Sequence, residues 1–359
     1  MRTGLLLVLV CLLSSVSGYA QKKTAEIPAS IPLSREFQPR EEQPVFAVCS
    51  KQGARVLMSY DDGRTWEQTF VATDEQEDGG WHGNFAVYGM AATNGMLGVF
   101  SGWGPPGVYL ASDDGRNWAH FGTREPVPPS LWDAAAGNGI FLTSADQWRG
   151  VSSTTINGQQ RTQHSLKDLL DGGKTHHVIC GFGEYGEGCF LAIGDNRHVF
   201  FSHDNCKTWQ HSLIPETAGE QQQAVAFGNG VFVCAFPAHV ARSADGGLTW
   251  TVHPHGLTEG RMSWRGLSFV RGQFWLTERN GKVARSSSDG ITWQDLPAGT
   301  PGGRFVQSQS GTLINVERGR YDIRRSEDGV QWESVFTAPE QNVTWDTAFA
   351  VAARLKKSR

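Results

Sequence analysis

Short apolar runs separated by clusters of glycine, serine, aspartate and asparagine set the rhythm of this chain. Residues 223–254 show it well: QAVAFGNG, VFVCAF, HVARS and TWTVHP follow one another with few residues between them. Apolar runs this short, bounded by turn formers, read as strands rather than helices. Four of them in succession predict an antiparallel four-stranded sheet. The hairpin between the third and fourth carries the phrase SADGGLTW (243–250). Related phrases stand at SYDDGRTW (59–66), ASDDGRNW (111–118), SHDNCKTW (202–209), SSSDGITW (286–293) and RSEDGVQW (325–332).

The closing tryptophans fall at 66, 118, 209, 250, 293 and 332, with gaps of 52, 91, 41, 43 and 39 residues. The gap of 91 is about twice the others, so it should hide a further copy. SSTTINGQQR (152–161) fits, with Asn157-Gly158 at the turn and Arg161 in the place of the tryptophan. Seven units with a period of about 44 residues predict an all-β, seven-bladed propeller of four-stranded antiparallel blades. Within the phrase, Asp and Ser side chains hydrogen-bond a tight turn, Gly supplies a positive φ, and Trp packs between sheets. The repeated aspartates are therefore structural. Aligned on the tryptophan, four copies depart from the pattern: Cys206 replaces Gly, Ser288 and Glu327 replace Asp, and Ala111 replaces Ser.

The ends of the repeat predict how the ring closes. The first unit opens on a strand-two-like run, VFAVCS (45–50), with no first strand before it. VTWDTAFAVA (343–352) resembles the first-strand openings LWDAAAGNG (131–139) and SWRGLSFVRG (263–272). The C-terminal strand is expected to complete the N-terminal blade, removing two sheet edges that would invite aggregation. The propeller then spans 43–352, after a signal peptide at 1–20 and an extension at 21–42, with a basic tail at 353–359.

Composition agrees and narrows the class. The 43 glycines and 13 tryptophans suit many short strands and tight turns. Met1-Arg2, the apolar run Gly4–Val16 and the small residues Gly18-Tyr19-Ala20 read as a secretory leader cleaved near Ala20, too short for a membrane span. A secreted or periplasmic protein is expected. A formal charge of −4 with interspersed signs carries no footprint for nucleic acid or an anionic membrane. Five cysteines follow the leader, Cys49, Cys180, Cys189, Cys206 and Cys234, and an odd number leaves at least one free thiol. Cys49 and Cys234 lie in apolar strands, where packing is their expected role.

The phrase S-x-D-x-G-x-T-W resembles the Asp-box, or bacterial neuraminidase repeat, of sialidases, related glycosidases, sortilin-type receptors and photosystem assembly-factor propellers. The resemblance covers residues 59–332. It implies a glycan-active or ligand-binding propeller of the sialidase superfamily, with no cofactor. True sialidases carry an early Arg-Ile-Pro motif, three arginines on the substrate carboxylate and a Tyr–Glu nucleophile pair. This chain has no Arg-Ile-Pro, and seven units rather than their usual six blades. Arg265, Arg304 and Arg318 are its arginine candidates, with Tyr88 or Tyr321 as phenol.

In a propeller the first strand of each blade lines the channel, and its start shares a face with the strand two–three loops, opposite the Asp-rich turns. Aligning the first strands places Tyr88, Trp132, His177, Gln223, Arg265, Arg304 and Trp345 at equivalent early positions, with Asp133 and Asp346 one residue later. The strand two–three loops add Trp103, Asp146, Trp148, Arg149, Asp195, Arg197, His239, Glu278, Arg279, Glu317 and Arg318. Aromatic rings cover apolar sugar faces, guanidiniums fork carboxylates, and paired acids divide acid and base roles. Two pairs are the catalytic candidates: Asp133 with Asp346, and Glu278 with Glu317. The expected partner is a carbohydrate or carboxylated small ligand bound by a monomer. A non-catalytic propeller that binds protein or glycan is the alternative.

Weaker signals do not change this picture. His253-Pro-His255 and His176-His177 bring no carboxylate at ligand spacing, so no metal site is expected. Residues 165–173 suggest a short helix, and the acidic stretch 74–83 a loop on the ligand face. Asn342-Val-Thr344 is a glycosylation sequon in a eukaryotic host.

Overall fold

Seven four-stranded antiparallel sheets follow one another around a ring in this computed structural model. It describes residues 41–71, 87–101, 108–122, 131–145, 150–156, 160–166, 169, 178–218, 221–257 and 262–357. The leader and most of the N-terminal extension lie outside them, as do the acidic stretch 74–83 and most of 165–173. No helix among the described residues is long and apolar enough to cross a membrane. Each blade takes its strands in chain order from the channel outward, except the first. There the innermost strand is Thr347–Lys356, paired antiparallel with Glu42–Ser50 in a register that sets Ala47 opposite Val351. The C-terminal strand thus closes the ring. It runs on to Lys356, so residues 353–356, expected to begin a tail, are its last part.

The buried apolar side chains of the described residues form separate clusters, which lie between neighbouring blades. Val48 and Leu57 of blade one meet Ile314, Val316 and Ile323 of blade seven. Leu142 and Val151 of blade three meet Phe190 and Phe200 of blade four. One contact recurs where inner strands end in glycine. A Cβ at Gly137, Gly183 or Gly228 would strike the Phe182, Phe227 or Phe269 ring of the next blade. These glycines let successive blades approach each other.

The Asp-rich turns explain their own composition. In blade one the Ser59 hydroxyl accepts from Gly63 N at 2.9 Å and donates to Asp61 Oδ1 at 2.9 Å. Asp61 Oδ1 also accepts from the backbone of Arg64 and Thr65, and Trp66 Nε1 donates to Gly63 O. The same serine–aspartate pair recurs as Ser112/Asp114, Ser202/Asp204, Ser243/Asp245, Ser287/Asp289 and Ser326/Asp328. At Asp204 burial raises the carboxyl pKa, but bonds from Thr208, Ser202 and Lys207 outweigh it and hold it at about 2.

The turns come in two lengths, and this corrects the reading of three copies. In blades two, six and seven the glycine follows the aspartate directly, as in Asp114-Gly115, and the turn is one residue shorter. Ala111, Ser288 and Glu327 are therefore not substitutions; the serine and aspartate lie one place further on. Cys206 is a real departure, occupying the glycine position at φ 64°. Blade three has its hairpin where expected, between Val151–Thr155 and Arg161–His164. Arg161 takes the tryptophan's place, its guanidinium 5.4 Å from the Tyr109 ring of the preceding blade.

All five cysteines of the propeller are free and buried. Burial pushes the Cys189 thiol up to about 12 and the others upward too, so they remain protonated packing groups.

Candidate functional site

The start of an inner strand is where the ladder is most irregular, and that irregularity builds the channel mouth. In blade two the pairing register shifts between Val87 and Gly89, leaving Tyr88 as the extra residue. In blade three it shifts between Leu131 and Asp133, leaving Trp132 extra. In blade six the shift spans Met262 to Leu267, and within it Arg265 adopts φ 55°. Bulges of this kind re-aim side chains that a regular strand would alternate between its two faces.

The re-aimed residues meet. The Tyr88 and Trp132 rings stack at 5.5 Å and 20°. Arg265 reaches across the ring from blade six to blade three, where Nη1 donates to Asp133 Oδ2 at 2.6 Å and Nη2 to Trp132 O at 3.1 Å. Asp133 Oδ2 also accepts from Cys180 N of blade four at 2.9 Å. Asp133 is thus committed to structural bonds with two other blades. That removes it from the expected acid–base pair with Asp346, because freeing it would strand a buried guanidinium.

Lys51 is the residue that the sequence reading missed. It follows the run VFAVCS and opens the strand two–three loop of blade one, the one loop the rim assignment skipped; extending the alignment to it would have found the residue. Its amino group donates to Val87 O at 3.0 Å and lies 3.2 Å from the centroid of the Tyr88 ring. Its backbone ties the closure together, since Lys51 N donates to Asp346 O and Lys51 O accepts from Val87 N. Burial lowers the Lys51 pKa to about 7, helped by the positive charges of Arg318 and Arg265 and opposed by Asp346. Burial raises the Asp346 carboxyl, against a hydrogen bond from Gly319 N at 2.7 Å and the charges of Arg318 and Lys51.

Arg304 begins the inner strand Arg304–Gln307 of blade seven. Burial and the neighbouring Arg265 lower its pKa, and Asp133 opposes them. No described side chain pairs with its guanidinium. The mouth therefore gathers Lys51, Arg265, Arg304 and Arg318 around Asp133 and Asp346, beside a stacked aromatic pair.

Trp345 does not join the ring: Arg55 covers its face at 3.6 Å and Phe336 of the outer strand packs near it. Its alignment with the other first strands fails because residues 343–345 form a 3-10 turn ahead of the closing strand. Glu317 Oε1 accepts from Ser263 Oγ at 3.1 Å and faces Gly302, at the junction of blades six and seven. Glu278 is buried in the same region, its carbonyl beside Gly302. Gln223 precedes the inner strand of blade five, its N–H donating to Ala235 O. His177, Trp148, Trp103, Asp146 and Arg149 lie outside the described residues. His255 is a structural histidine, with Nε2 3.0 Å from Phe236 O and Nδ1 accepting from Leu257 N. Among the described residues no cluster of three or more His, Cys, Asp or Glu could hold a metal ion.

No known family profile matches the sequence, and no curated protein does. Solved structures do share the fold. A streptogramin B lyase superposes with a TM-score of 0.57 at 13% identity, over 72% of this chain and 85% of that one. A putative 6-phosphogluconolactonase from Bacteroides fragilis gives 0.56 at 8% identity, over 89% of this chain and 100% of the other. YCF48 from Cyanidioschyzon merolae gives 0.52 at 15%, over 80% and 94%. At such identities the likeness is one of fold, and the chain is similar to these proteins as a seven-bladed propeller.

Proposed function

We propose that this propeller binds a carboxylated glycan at its channel mouth, with Arg304 and Arg318 on the carboxylate and Trp132, backed by Tyr88, against the sugar. One observation carries the reading. Two channel arginines share an aligned position in consecutive blades, yet Asp133 is bonded to Arg265 and meets Arg304 only through its charge. Bringing a second guanidinium into a partly desolvated lumen is costly, and a ligand carboxylate would offset that cost with charge-assisted bonds of about 1.5–3 kcal/mol each. The half-buried Trp132 ring, backed by Tyr88, supplies the flat apolar surface that a sugar face requires. The Asp-box resemblance favours the same class of ligand. The leader further suggests an exported protein, whose mature chain from its native host should begin near Gln21.

Calorimetric titration with oligogalacturonate and with its neutral counterpart tests the proposal. Binding of the acidic sugar alone, weakened at least about tenfold by Arg304→Ala and still weakened by Arg304→Lys, is expected, since lysine keeps the charge but loses the fork. Equal binding of both sugars, or no loss in Arg304→Ala, would overturn it.

A further inference from the structure

We infer that Lys51 is a catalytic base that removes the proton α to the carboxylate of a bound uronate, making the channel mouth a lyase site. The inference rests on the carboxylated-glycan reading and adds a reaction to it. It stands on placement. The Lys51 amine is fixed by its bond to Val87 O and by the Tyr88 face, inside the cluster that would grip the carboxylate. Arg318 and Arg265 approach it from blades seven and six, Asp346 from the closing segment, and Tyr88 from blade two; Arg304 and Asp133 lie near Arg265. Burial, helped by the same positive field that attracts a carboxylate, disfavours the ammonium form. The lysine, with its pKa lowered to about 7, accordingly offers a neutral amine at neutral pH.

A carbon acid beside a carboxylate needs two kinds of help: neutralisation of the carboxylate, so that the developing charge can spread onto it, and a neutral base close by. Arginines and a partly deprotonated lysine provide both. In the step, the C–H bond α to the carboxylate breaks and its proton moves to Lys51 Nζ. The electron pair forms a carbon–carbon double bond as the bond from the β carbon to the glycosidic oxygen breaks. In galacturonate the departing oxygen leaves from the ring face opposite the abstracted proton, so solvent protonates it and the Lys51 ammonium gives its proton up to solvent. The products are an unsaturated uronide and a shortened sugar with a new reducing end, with the lysine neutral again and no water consumed. A hydrolase built on Asp133 and Asp346 would first have to release Asp133 from Arg265 and Cys180.

The experiment incubates the full-length protein with oligogalacturonate and follows the ultraviolet absorbance of the conjugated double bond, with binding measured in parallel by calorimetry. Wild type should generate the chromophore, with a rate that rises through an apparent pKa of about 7. Lys51→Ala should bind the sugar yet lose roughly 100- to 10,000-fold in rate. Lys51→Arg keeps a donor for Val87 O and a cation over Tyr88 but is never neutral, so it should fold, bind and remain inactive. Binding by wild type without any chromophore would overturn the lyase step and leave the binding reading standing. Absence of binding would overturn both. Cleavage to saturated products, or a borohydride-trapped adduct on Lys51, would overturn the base role in favour of hydrolysis or imine chemistry.

Discussion

Arg265 and Asp133 stand on blades six and three, and their side chains join across the channel at 2.6 Å. The pair is a strut: it holds two inner strands that no backbone bond connects, and Asp133 extends it to blade four through Cys180 N. Both side chains are almost wholly enclosed, at 10% and 7% exposure, so their attraction is little screened by solvent. The strut also decides which channel arginine can serve a ligand. Arg265 is occupied, and Arg304 beside it is not paired with any described side chain.

Asp133→Ala should therefore destabilise the protein by about 3–5 kcal/mol, because it leaves the Arg265 charge buried without its counter-ion. Urea unfolding of the single variant and of Asp133→Ala/Arg265→Met gives the comparison. The double variant should recover much of the loss, and a harmless single variant would show that the pair bears no load.

The repeated turns should be separable from function. Trp250 is buried between blades four and five and its Nε1 donates to Gly247 O, so Trp250→Ala should cost about 3–5 kcal/mol. Asp245→Asn, in the same turn, should leave the titration with acidic sugar unchanged. A selective loss of binding in Asp245→Asn with an unaltered melting temperature would contradict the structural role of these aspartates.

Removal of residues 343–359 deletes the innermost strand of blade one and exposes the edge of Glu42–Ser50. It also uncovers Val45, Cys49 and their apolar neighbours. The truncated chain should collect in the insoluble fraction on expression. Soluble protein with unchanged melting would mean that the ring closes some other way.

The thiols give a direct probe of integrity. Cys49, Cys180, Cys189, Cys206 and Cys234 are buried and held in their protonated form, so a thiol reagent at neutral pH should leave the native ring unmodified. All five should react once guanidinium unfolds it. Fast labelling of Cys206 in native protein would show that its turn opens.

The blade count, the closing strand and the structural nature of the Asp-rich turns were legible in the sequence, because each depends on local chemistry that repeats. A serine, an aspartate and a positive-φ residue make the same turn wherever they occur, and a missing first strand at one end implies a spare one at the other. Even there, spacing misled: counting back from the tryptophan hid the shorter turn of Ser112, Ser287 and Ser326, since only hydrogen bonds reveal which aspartate caps it. Several residues that meet at the mouth were nameable as well: Tyr88, Trp132, Asp133, Arg265, Arg304 and Asp346 share the early part of their repeats, and Arg318 lies in a strand two–three loop. What they do to one another was not. The Arg265–Asp133 bond joins positions 132 residues apart, and a bulge with a positive φ at Arg265 aims it. Trp345 occupies the matching place in the chain but folds into a separate turn under Arg55. Lys51 carries no motif, and its lowered pKa arises from burial among charges supplied by three other parts of the ring. Local propensity and repetition determine the blades; which charges cancel and which remain for a ligand depends on distances across the channel, and ring closure alone sets those.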